Sequence, residues 1–256
     1  MDGGMTGAVY LENKGFCPCC RKETTFRSES DWLRDNYICL QCNSIPRNRH
    51  LHYVLDTKFP GWEKAKIHEC SPVNDFTARF ASHWSRSVFE PNVRPGSMHN
   101  GVRCENIEAM TFADNTFDIF ITEDVLEHVF HPDKAIAEIM RVLRPGGAHV
   151  FTVPKQKWIT HSRQCAKLVD GEIEHILEPQ YHIAANGGGS LVTWEYGYDF
   201  ELLLSEWAGN VPVETHRMLD RSKGIDAEFN EVFAIRKPDT GGGHRWLPRK
   251  LKPFWF

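Results

Sequence analysis

The stretch of residues 117–154 restricts the possible folds of this 256-residue chain more than any other part. It opens with the apolar run FDIFI at 117–121, which predicts a strand. A helix follows, in which apolar residues recur every three or four positions, and RPGG at 144–147 ends it. The next strand is AHVFTVP at 148–154. This order predicts a βαβ unit and therefore a parallel sheet covered by helices.

The flanking segments extend the same alternation. Apolar spacing predicts a helix from about residue 51, which Pro60 and Gly61 break. Asp199 is predicted to cap a helix that ends near Gly209. Two strands, at 211–219 and 230–237, then close the domain. Residues 155–196 have few periodic apolar positions, so we expect a long loop or lid with room for one short helix.

Four of the eight cysteines form two CxxC pairs, Cys17 with Cys20 and Cys39 with Cys42. Each pair can point two thiolates at one point, and two such turns complete a tetrahedral four-sulfur site. Such a site suits Zn²⁺ and is closed to substrate. CPCC offers a second register through Cys19, but the CPxC turn favours Cys17 with Cys20. The spacing predicts a structural zinc ribbon; cysteines without metal in a small core, or an iron site, are the alternatives.

The charge and hydropathy of the sequence indicate which classes of partner are disfavoured. The formal net charge of −4 disfavours a nucleic-acid partner, because a broad nucleic-acid-binding surface is usually strongly basic. The sequence has no apolar run approaching the ~20 residues of a membrane span, and no signal-peptide core at its start. We therefore expect a cytoplasmic chain with no membrane partner, in which thiols stay reduced and bind metal. The sequence leaves the oligomeric state open.

Residues 106–154 also carry motifs of a known family. FADNTFD, DVLEHV and RVLRPGG resemble the middle of a class I S-adenosylmethionine-dependent methyltransferase of the type 11 kind, and the resemblance extends over residues 62–237. The CPCC…CLQC head followed by IPRNRHL resembles a subset of these enzymes with an N-terminal zinc ribbon. The resemblance implies an α/β fold, with a Rossmann-like doubly wound sheet of about seven strands.

This resemblance suggests a division of the chain into modules. They are a flexible N-terminus (1–15), a zinc ribbon (16–50), a methyltransferase domain (51–238) whose insertion is the lid at 155–196, and a basic, aromatic tail (239–256).

The resemblance further implies S-adenosylmethionine as cofactor and a set of residues that bind it. Asn106 and Ile107 take the position that contacts the adenine. Thr122 and Glu123, which end the fourth strand of the family's sheet, are expected to face the methyl donor. Glu90 is the candidate acid for the ribose hydroxyls.

The first cofactor loop departs from the family pattern. The family has a glycine-rich E/D-x-G-x-G-x-G loop, whereas KIHECSPVNDFTARF at 66–80 contains no glycine. S-Adenosylmethionine has no phosphates, so the loop needs only a shallow turn and an acid for the ammonium group. We expect Ser71, with Cys70 before it and Pro72 after it, to form the turn and Glu69 to supply the charge.

Methyl transfer needs alignment of the acceptor, and a general base only where a hydroxyl must lose its proton. Histidines of the 155–196 segment are the candidates: His182, with Tyr181 beside it, and His161. Turn-capping or solvent-facing roles are the alternatives for these side chains.

Other residues allow two interpretations each. Trp194 and Tyr196 either form the wall of an acceptor pocket or belong to the core. Arg47, Arg49 and His50 either bind a phosphate or nucleotide-sugar acceptor or form a solvated basic patch.

The sequence favours methyl transfer to a small-molecule acceptor, which is sugar-linked in one version of the hypothesis. An rRNA methyltransferase with a zinc ribbon for RNA recognition is a second candidate, which the acidic net charge disfavours. A catalytically inactive binding protein on the same fold is the third, and the missing glycines favour it. The sequence leaves the acceptor and the methylated atom open.

Overall fold

The computed structural model describes residues 8–183 and 189–239 of the chain. Its strands, in chain order, are β1 Leu11–Cys17, β2 Lys22–Ser28, β3 Ile38–Cys39, β4 Lys66–Cys70, β5 His83–Val88, β6 Met98–His99, β7 Val102–Cys104, β8 Phe117–Glu123, β9 Leu143–Thr152, β10 Arg163–Gln164, β11 Ala166–Val169, β12 Glu172–His175, β13 Tyr181–Ile183, β14 Gly189–Leu191, β15 Trp194–Glu195, β16 Val213–His216 and β17 Val232–Arg236. The α-helices are α1 Leu33–Asn36, α2 Pro46–Lys58, α3 Pro132–Val142 and α4 Phe200–Trp207. Single 3₁₀ turns are formed by Trp62–Lys64, Leu126–His128 and Arg221–Lys223.

Eight strands form the main sheet in the order β16-β17-β9-β8-β4-β5-β7-β6. The five strands from β9 to β7 are parallel to their neighbours, while β17, β16 and β6 pair antiparallel. The predicted doubly wound α/β sheet is confirmed, and the additional eighth strand is the two-residue β6 at the edge. Strand order reverses between β4 and β8, so the carboxyl ends of these two strands flank the crevice where such sheets bind ligands.

Alternate residues of the central strands face two separate cores. Ile119 and Ile121 of β8 pack with α2, whereas Phe117 and Phe120 pack with α3 and α4. Ile119, Phe120 and Ile121 alternate with the two-residue period of a strand, and the irregularity between Phe117 and Ile119 places Phe117 on the same side as Phe120. Burial of each large apolar side chain contributes about 1.5–3 kcal/mol to stability. Within the described residues, no helix is long and apolar enough to cross a membrane.

Strands β1, β2 and β3 form a separate three-stranded antiparallel sheet that carries the cysteine pairs. Arg49 of α2 joins this sheet to the main domain. Its fully buried guanidinium donates to the carbonyl oxygens of Tyr37 (2.7 Å), Gly224 (2.6 Å) and Ser44, and stacks 4.8 Å from the ring of Phe26. Gly224 has a φ of +65°, and a Cβ there would lie 2.6 Å from the Phe26 ring, so this junction requires glycine.

Arg47, Arg49 and His50 were expected either to bind a phosphate or to form a solvated basic patch. For Arg49 and His50 both interpretations are wrong. The guanidinium of Arg49 donates its hydrogen bonds to backbone carbonyls. Nδ1 of the buried His50 donates to the carbonyl of Asn230 at 2.5 Å. Neither side chain is solvated or available to a phosphate. Arg47 is bonded to Asp35 and Asp124.

The 155–196 segment differs from the expected lid. It contains three short antiparallel pairs, β10 with β15, β11 with β12 and β13 with β14, and its described part holds no helix. The hairpins lacked a sequence signal because their strands are only two to four residues long. Tyr196 is fully buried and donates to the carbonyl of Leu126 at 2.8 Å, with Trp194 packed beside it. These two aromatic residues belong to the core rather than to a pocket wall.

Several predicted boundaries also moved. Helix α2 begins at Pro46, five residues before the expected start, with the Asn48 side chain accepting from the backbone N–H of Ile45 at 3.1 Å. Asp199 is the N-cap residue of α4, as predicted, but its side chain makes no capping bond, because the carboxylate accepts from the backbone N–H and the hydroxyl of Ser162, both at 2.7 Å. Most of the predicted tail lies outside the described residues.

Candidate functional site

The four predicted zinc ligands lie together. The sulfur atoms of Cys17, Cys20, Cys39 and Cys42 are all within 4.8 Å of one another, and the Cys17 and Cys42 sulfurs are 3.8 Å apart. The Cys19 sulfur is outside this group, although its side chain is buried. Of the two registers of CPCC, the geometry therefore assembles the one through Cys17 and Cys20.

The two CxxC turns have the same backbone geometry. In each, the residue after the second cysteine is left-handed, Arg21 with φ +54° and Asn43 with φ +59°. Its N–H bonds back to the carbonyl of the first cysteine at 2.8 Å, Cys17 in one turn and Cys39 in the other. The Ser44 hydroxyl lies 3.4 Å and 3.2 Å from the sulfurs of Cys17 and Cys42. Paired turns of this kind suit a tetrahedral ion and leave no position open to substrate.

A second site lies at the carboxyl ends of β4 and β8. Glu69 of β4 is 1% exposed, and its Oε2 accepts from the indole N–H of Trp84 at 2.9 Å. Its Oε1 has no hydrogen-bond partner among residues 8–183 and 189–239. Burial raises the pKa of Glu69 to about 8, and the nearby Glu123 carboxylate adds to the increase. This edge of the sheet thus holds a carboxylate that lacks a cation.

The glycine-free loop after β4 adopts a backbone that glycine usually supplies. Ser71 has a φ of +52°, and its N–H donates to the carbonyl of Ser87 at 2.7 Å. A left-handed residue at this point turns the chain immediately after Glu69 and Cys70, which glycine would do without steric cost. The buried thiol of Cys70 faces the opposite side of the sheet from Glu69, because the two residues are adjacent on a strand.

The fourth strand presents its two candidates differently. Glu123 shares the α2 face with Glu69, its Oε2 accepts from the amide of Asn48 at 2.6 Å, and burial raises its pKa. Thr122 is fully buried, with its hydroxyl 3.0 Å from Nε2 of His149. The expectation that Thr122 faces the methyl donor is therefore not met, since the side chain points into the core.

The remaining cofactor candidates lie just past strand ends. Asn106 follows β7, and its Oδ1 accepts from the N–H of Glu108 at 2.9 Å, which leaves one acceptor lone pair for an adenine amino group. Ile107 is packed in the core and is only 6% exposed. Glu90 is half-buried, two residues beyond β5, where its backbone carbonyl accepts from the N–H of Val93.

The predicted catalytic residues are separated by the fold. His182 of β13 lies against the turn after β8, with its ring centroid 5.1 Å from that of His128 and its Nδ1 3.9 Å from Glu127 Oε1. Tyr181 is exposed on the same strand and packs its ring against Gly189 of β14. His161 is exposed in a loop, where its backbone packs against Gly197. His182 alone among the three belongs to a cluster of titratable side chains.

The other two members of this cluster, Glu127 and His128, were not among the site residues predicted from the sequence. Glu127 is 1% exposed, and burial raises its pKa well above the usual range. His128 donates from Nδ1 to the carbonyl of Leu191 at 2.8 Å, and burial lowers its pKa. The adjacent Glu and His of DVLEHV were the available signal.

Arginines close the same edge of the sheet. Arg34 and Arg47 reach Asp124, at 2.6 Å and 3.2 Å, and Asp124 also accepts from Thr152 at 2.8 Å. The guanidinium charges and hydrogen bonding hold the pKa of Asp124 below its usual range despite its burial. Asp124 is thus paired with two arginines, whereas no lysine or arginine of the described residues forms an ion pair with Glu69 or Glu127.

Comparison with known proteins agrees with this geometry. A family profile described as "Methyltransferase domain" matches residues 75–151, which run from the loop after β4 through β9. Residues 75–151 thus match a methyltransferase domain, in agreement with the predicted resemblance over this segment, and the match does not extend to the cysteine pairs at 17–42. The matched segment contains β8 and the 3₁₀ turn that carries Glu127 and His128, whereas β4 with Glu69 lies just before it.

Curated relatives share short segments with the methyltransferase domain. The ubiquinone/menaquinone biosynthesis C-methyltransferase of Hydrogenovibrio crunogenus is 52% identical over 42 residues, which are 16% of each chain. The malonyl-(acyl-carrier protein) O-methyltransferase of Methylococcus capsulatus is 32% identical over 78 residues, or 30% of this chain and 28% of the relative. The matches thus span less than a third of the length of these relatives.

Two solved structures superpose on about three quarters of this chain at low sequence identity. An S-adenosylmethionine-dependent methyltransferase from Mesorhizobium loti superposes with a TM-score of 0.48 and 13% identity, covering 73% of this chain and 97% of that one. The Burkholderia thailandensis 1,6-didemethyltoxoflavin N1-methyltransferase, solved with S-adenosylhomocysteine, has a TM-score of 0.45 and 18% identity, with 76% and 77% coverage.

Proposed function

We propose that this chain is an S-adenosylmethionine-dependent methyltransferase that acts on a small-molecule acceptor by in-line methyl transfer. The observation that carries the proposal is the uncompensated Glu69 carboxylate at the switch point of a methyltransferase domain. The curated relatives with the matching segment are named as methyltransferases of ubiquinone biosynthesis and of malonyl-acyl-carrier protein, which supports a small-molecule or carrier-bound acceptor. A sugar-linked acceptor is one version of this proposal.

The residues at the crevice fit a cationic cofactor. S-Adenosylmethionine has an ammonium and a sulfonium group, and Glu69 Oε1 is a buried acceptor without a donor in the described chain. The left-handed Ser71 makes the turn that the missing glycine would make. Asn106 retains acceptor capacity for the adenine amino group, and Glu90 follows the neighbouring strand. The bound cofactor would supply an activated methyl group, and these residues would bind and orient it.

His182 is our candidate for the acceptor side. Its imidazole is 45% exposed, and it contacts the buried turn after β8. Burial lowers the pKa of His182, so the neutral imidazole that can accept a proton predominates at pH 7. Tyr181 and His161, which lie outside this cluster, remain secondary candidates for contacts with the acceptor.

We also propose that Cys17, Cys20, Cys39 and Cys42 bind a structural Zn²⁺. A cytoplasmic location, which we propose for this chain, would keep these cysteines reduced and available to the metal. The division into a ribbon and a methyltransferase domain forms part of the same proposal, but two predicted boundaries move. The ribbon sheet begins at Leu11, within the predicted flexible N-terminus (1–15), and α2, Pro46–Lys58, crosses the predicted boundary between 16–50 and 51–238. Arg49, which contacts both modules, makes the ribbon a fixed part of the molecule rather than a free appendage.

Two other functions make different predictions. An rRNA methyltransferase would need a basic surface, and the net charge of −4 disfavours it. A catalytically inactive binding protein would lack affinity for the cofactor. The left-handed Ser71 weakens that alternative, since the loop keeps the required backbone without its glycines.

The experiment is calorimetric titration of the zinc-loaded protein with S-adenosylmethionine and S-adenosylhomocysteine. We expect micromolar binding that Glu69→Gln weakens about 10- to 100-fold, as expected for the loss of a hydrogen bond to a charged group. Glu206→Gln on the exposed side of α4 removes the same charge and is the matched control. Absence of binding by either ligand, or equal binding by both variants, would refute the proposal.

A further inference from the structure

A second group of metal-ligating atoms lies at the carboxyl edge of the main sheet, apart from the cysteines. Oε1 of Glu127 is 3.7 Å from Nε2 of His128 and 3.9 Å from Nδ1 of His182, and the three ligand atoms lie within 4.8 Å of one another. Ligands bound at ~2.1 Å to a tetrahedral ion are about 3.4 Å apart. Small side-chain rotations would thus bring all three atoms onto one ion.

The carboxylate of this group lacks a partner. Glu127 is 1% exposed, and neither of its oxygens has a hydrogen-bond partner in the described part of the chain. Taking a carboxylate out of water without a cation or donor is strongly unfavourable. The nearby guanidinium groups of Arg34 and Arg47 are bonded to Asp35 and Asp124 instead. Glu127 is therefore stable at this position only as the neutral acid or with a bound cation, and no lysine or arginine of the described residues forms an ion pair with it.

The histidines are oriented as metal ligands. A carbonyl oxygen can only accept, so His128 donates from Nδ1 to Leu191 O at 2.8 Å, and its Nε2, which faces Glu127, has a free lone pair. A backbone carbonyl that fixes the far nitrogen is the usual support of a metal-bound histidine. His182 approaches from the β13–β14 hairpin with its Nδ1 toward the same point, and its ring lies perpendicular to that of His128.

We propose that Glu127, His128 and His182 bind a divalent first-row transition-metal ion, in which case His182 is a metal ligand through Nδ1 and not the general base considered above. Two imidazoles with one carboxylate favour Zn²⁺, Fe²⁺, Mn²⁺ or Co²⁺ over Mg²⁺ and Ca²⁺, which prefer ligand sets made of oxygen alone. Three protein ligands leave coordination positions open to water or to an oxygen of a small molecule. The site is thus of the open kind, in contrast to the closed four-cysteine centre.

The test is a titration of zinc-loaded protein with Mn²⁺, in which electron paramagnetic resonance measures the free ion; Co²⁺ serves as a tighter-binding second probe. Mn²⁺ prefers nitrogen and oxygen ligands and competes poorly with zinc for thiolates, so the cysteine centre does not take it up. We expect one Mn²⁺ per chain beyond the zinc. Glu127→Gln and His182→Ala should each weaken this binding at least tenfold. Tyr181→Phe, next to His182 on the same strand, should leave it unchanged.

Thermal unfolding separates a lost ligand from a damaged fold. Without added ion, Glu127→Gln should be at least as stable as the parent protein, because it removes an unpaired buried acid. Added Mn²⁺ should raise the unfolding temperature of the parent and of Tyr181→Phe, but not of Glu127→Gln or His182→Ala. The inference is overturned if neither Mn²⁺ nor Co²⁺ saturates the protein, or if the two ligand variants bind as tightly as the parent.

The outcome is independent of the proposed methyl transfer. Mn²⁺ binding is measured without cofactor, and S-adenosylhomocysteine binding is measured on protein that contains only the ribbon zinc. Loss of the first with the second intact removes the metal site and leaves the methyltransferase proposal in place. The opposite result removes the methyltransferase proposal and leaves a metal-binding protein.

Discussion

The cysteine centre and the carboxyl edge of the main sheet solve the problem of buried charge in opposite ways. The cysteine centre collects its four sulfurs from two matching turns, 25 residues apart from first to last, and closes around a single point. The carboxyl edge brings together Glu69 and Glu127, which come from separate elements and lack bonded cations within the described chain. In the cysteine centre, one bound ion uses all four sulfur ligands. At the carboxyl edge, the buried carboxylates leave acceptor oxygens that a bound ligand can use.

Among the changes that distinguish the two regions, loss of zinc should have the largest effect on stability. Cys39→Ser removes one of four sulfurs, and the binding energy of a structural zinc is of the order of 10 kcal/mol. We expect less than one zinc per chain by mass spectrometry, and early unfolding of β1–β3.

Cys104→Ser, a change at a buried cysteine outside the centre, is the matched control for this variant. It should keep its zinc. Full zinc content in Cys39→Ser would show that the four sulfurs do not act as one site.

The second largest effect on stability is expected from a change at Arg49, which joins the ribbon sheet to the main domain. Arg49→Leu leaves the carbonyls of Tyr37, Ser44 and Gly224 without their buried donor, which we expect to cost about 3–5 kcal/mol in the free energy of unfolding. Urea unfolding measures the difference. Arg94→Leu, at an exposed position, should change stability by less than ~0.5 kcal/mol. Equal effects of the two variants would mean that the ribbon is not fixed through Arg49.

A change at Glu69 tests whether the buried carboxylate lowers the stability of the protein when no ligand is bound. Its folded-state pKa of about 8 is above the ordinary value of 4.5, so ionisation is harder in the folded than in the unfolded chain. The carboxyl group therefore stabilises the fold below pH 4.5, and this contribution is lost as the pH rises through 8.

Glu69→Gln should accordingly raise the free energy of unfolding of ligand-free protein by a few kcal/mol at pH 8.5, and change it little at pH 4.5. Urea titrations at the two pH values measure this. A loss of stability at pH 8.5 would instead mean that the ionised Glu69 is already satisfied.

Cofactor affinity should show the smallest of these effects. If the ammonium group binds the ionised Glu69, the dissociation constant should fall about tenfold between pH 6.5 and pH 8, as the carboxyl group loses its proton. Calorimetry across this range measures the change. Glu69→Gln should give a flat profile, and an equally steep profile in that variant would assign the titration to another group.

Sequence reasoning succeeded where structure is local. The strand, helix and strand from β8 to β9 follow from short-range periodicity, and the CxxC turns follow from fixed spacing. It placed Ser71 in the turn after β4 but did not predict its positive φ, because that backbone conformation is imposed by the surrounding fold rather than by the preference of serine. Nor did it place Arg49 in a buried junction, since its partners lie on separate elements far along the chain.

The pairing of Glu127 with His182 was equally out of reach. The two residues are 55 positions apart, and only the β13–β14 hairpin brings the histidine back to the turn after β8. In a strand, a shift of one residue would point His182 to the opposite face. Single-sequence patterns do not fix such a register in strands of three residues.

The first turn of α2 connects the two regions through neighbouring residues. Asn48 donates to Glu123 at the carboxyl edge, while Arg49, the next residue, holds the ribbon. Successive side chains on a helix point about 100° apart, so one rigid turn serves as the reference frame for both sites. The position of the cysteine centre relative to the carboxyl edge therefore depends on this one turn of helix, and not on the conformations of the loops between the two sites.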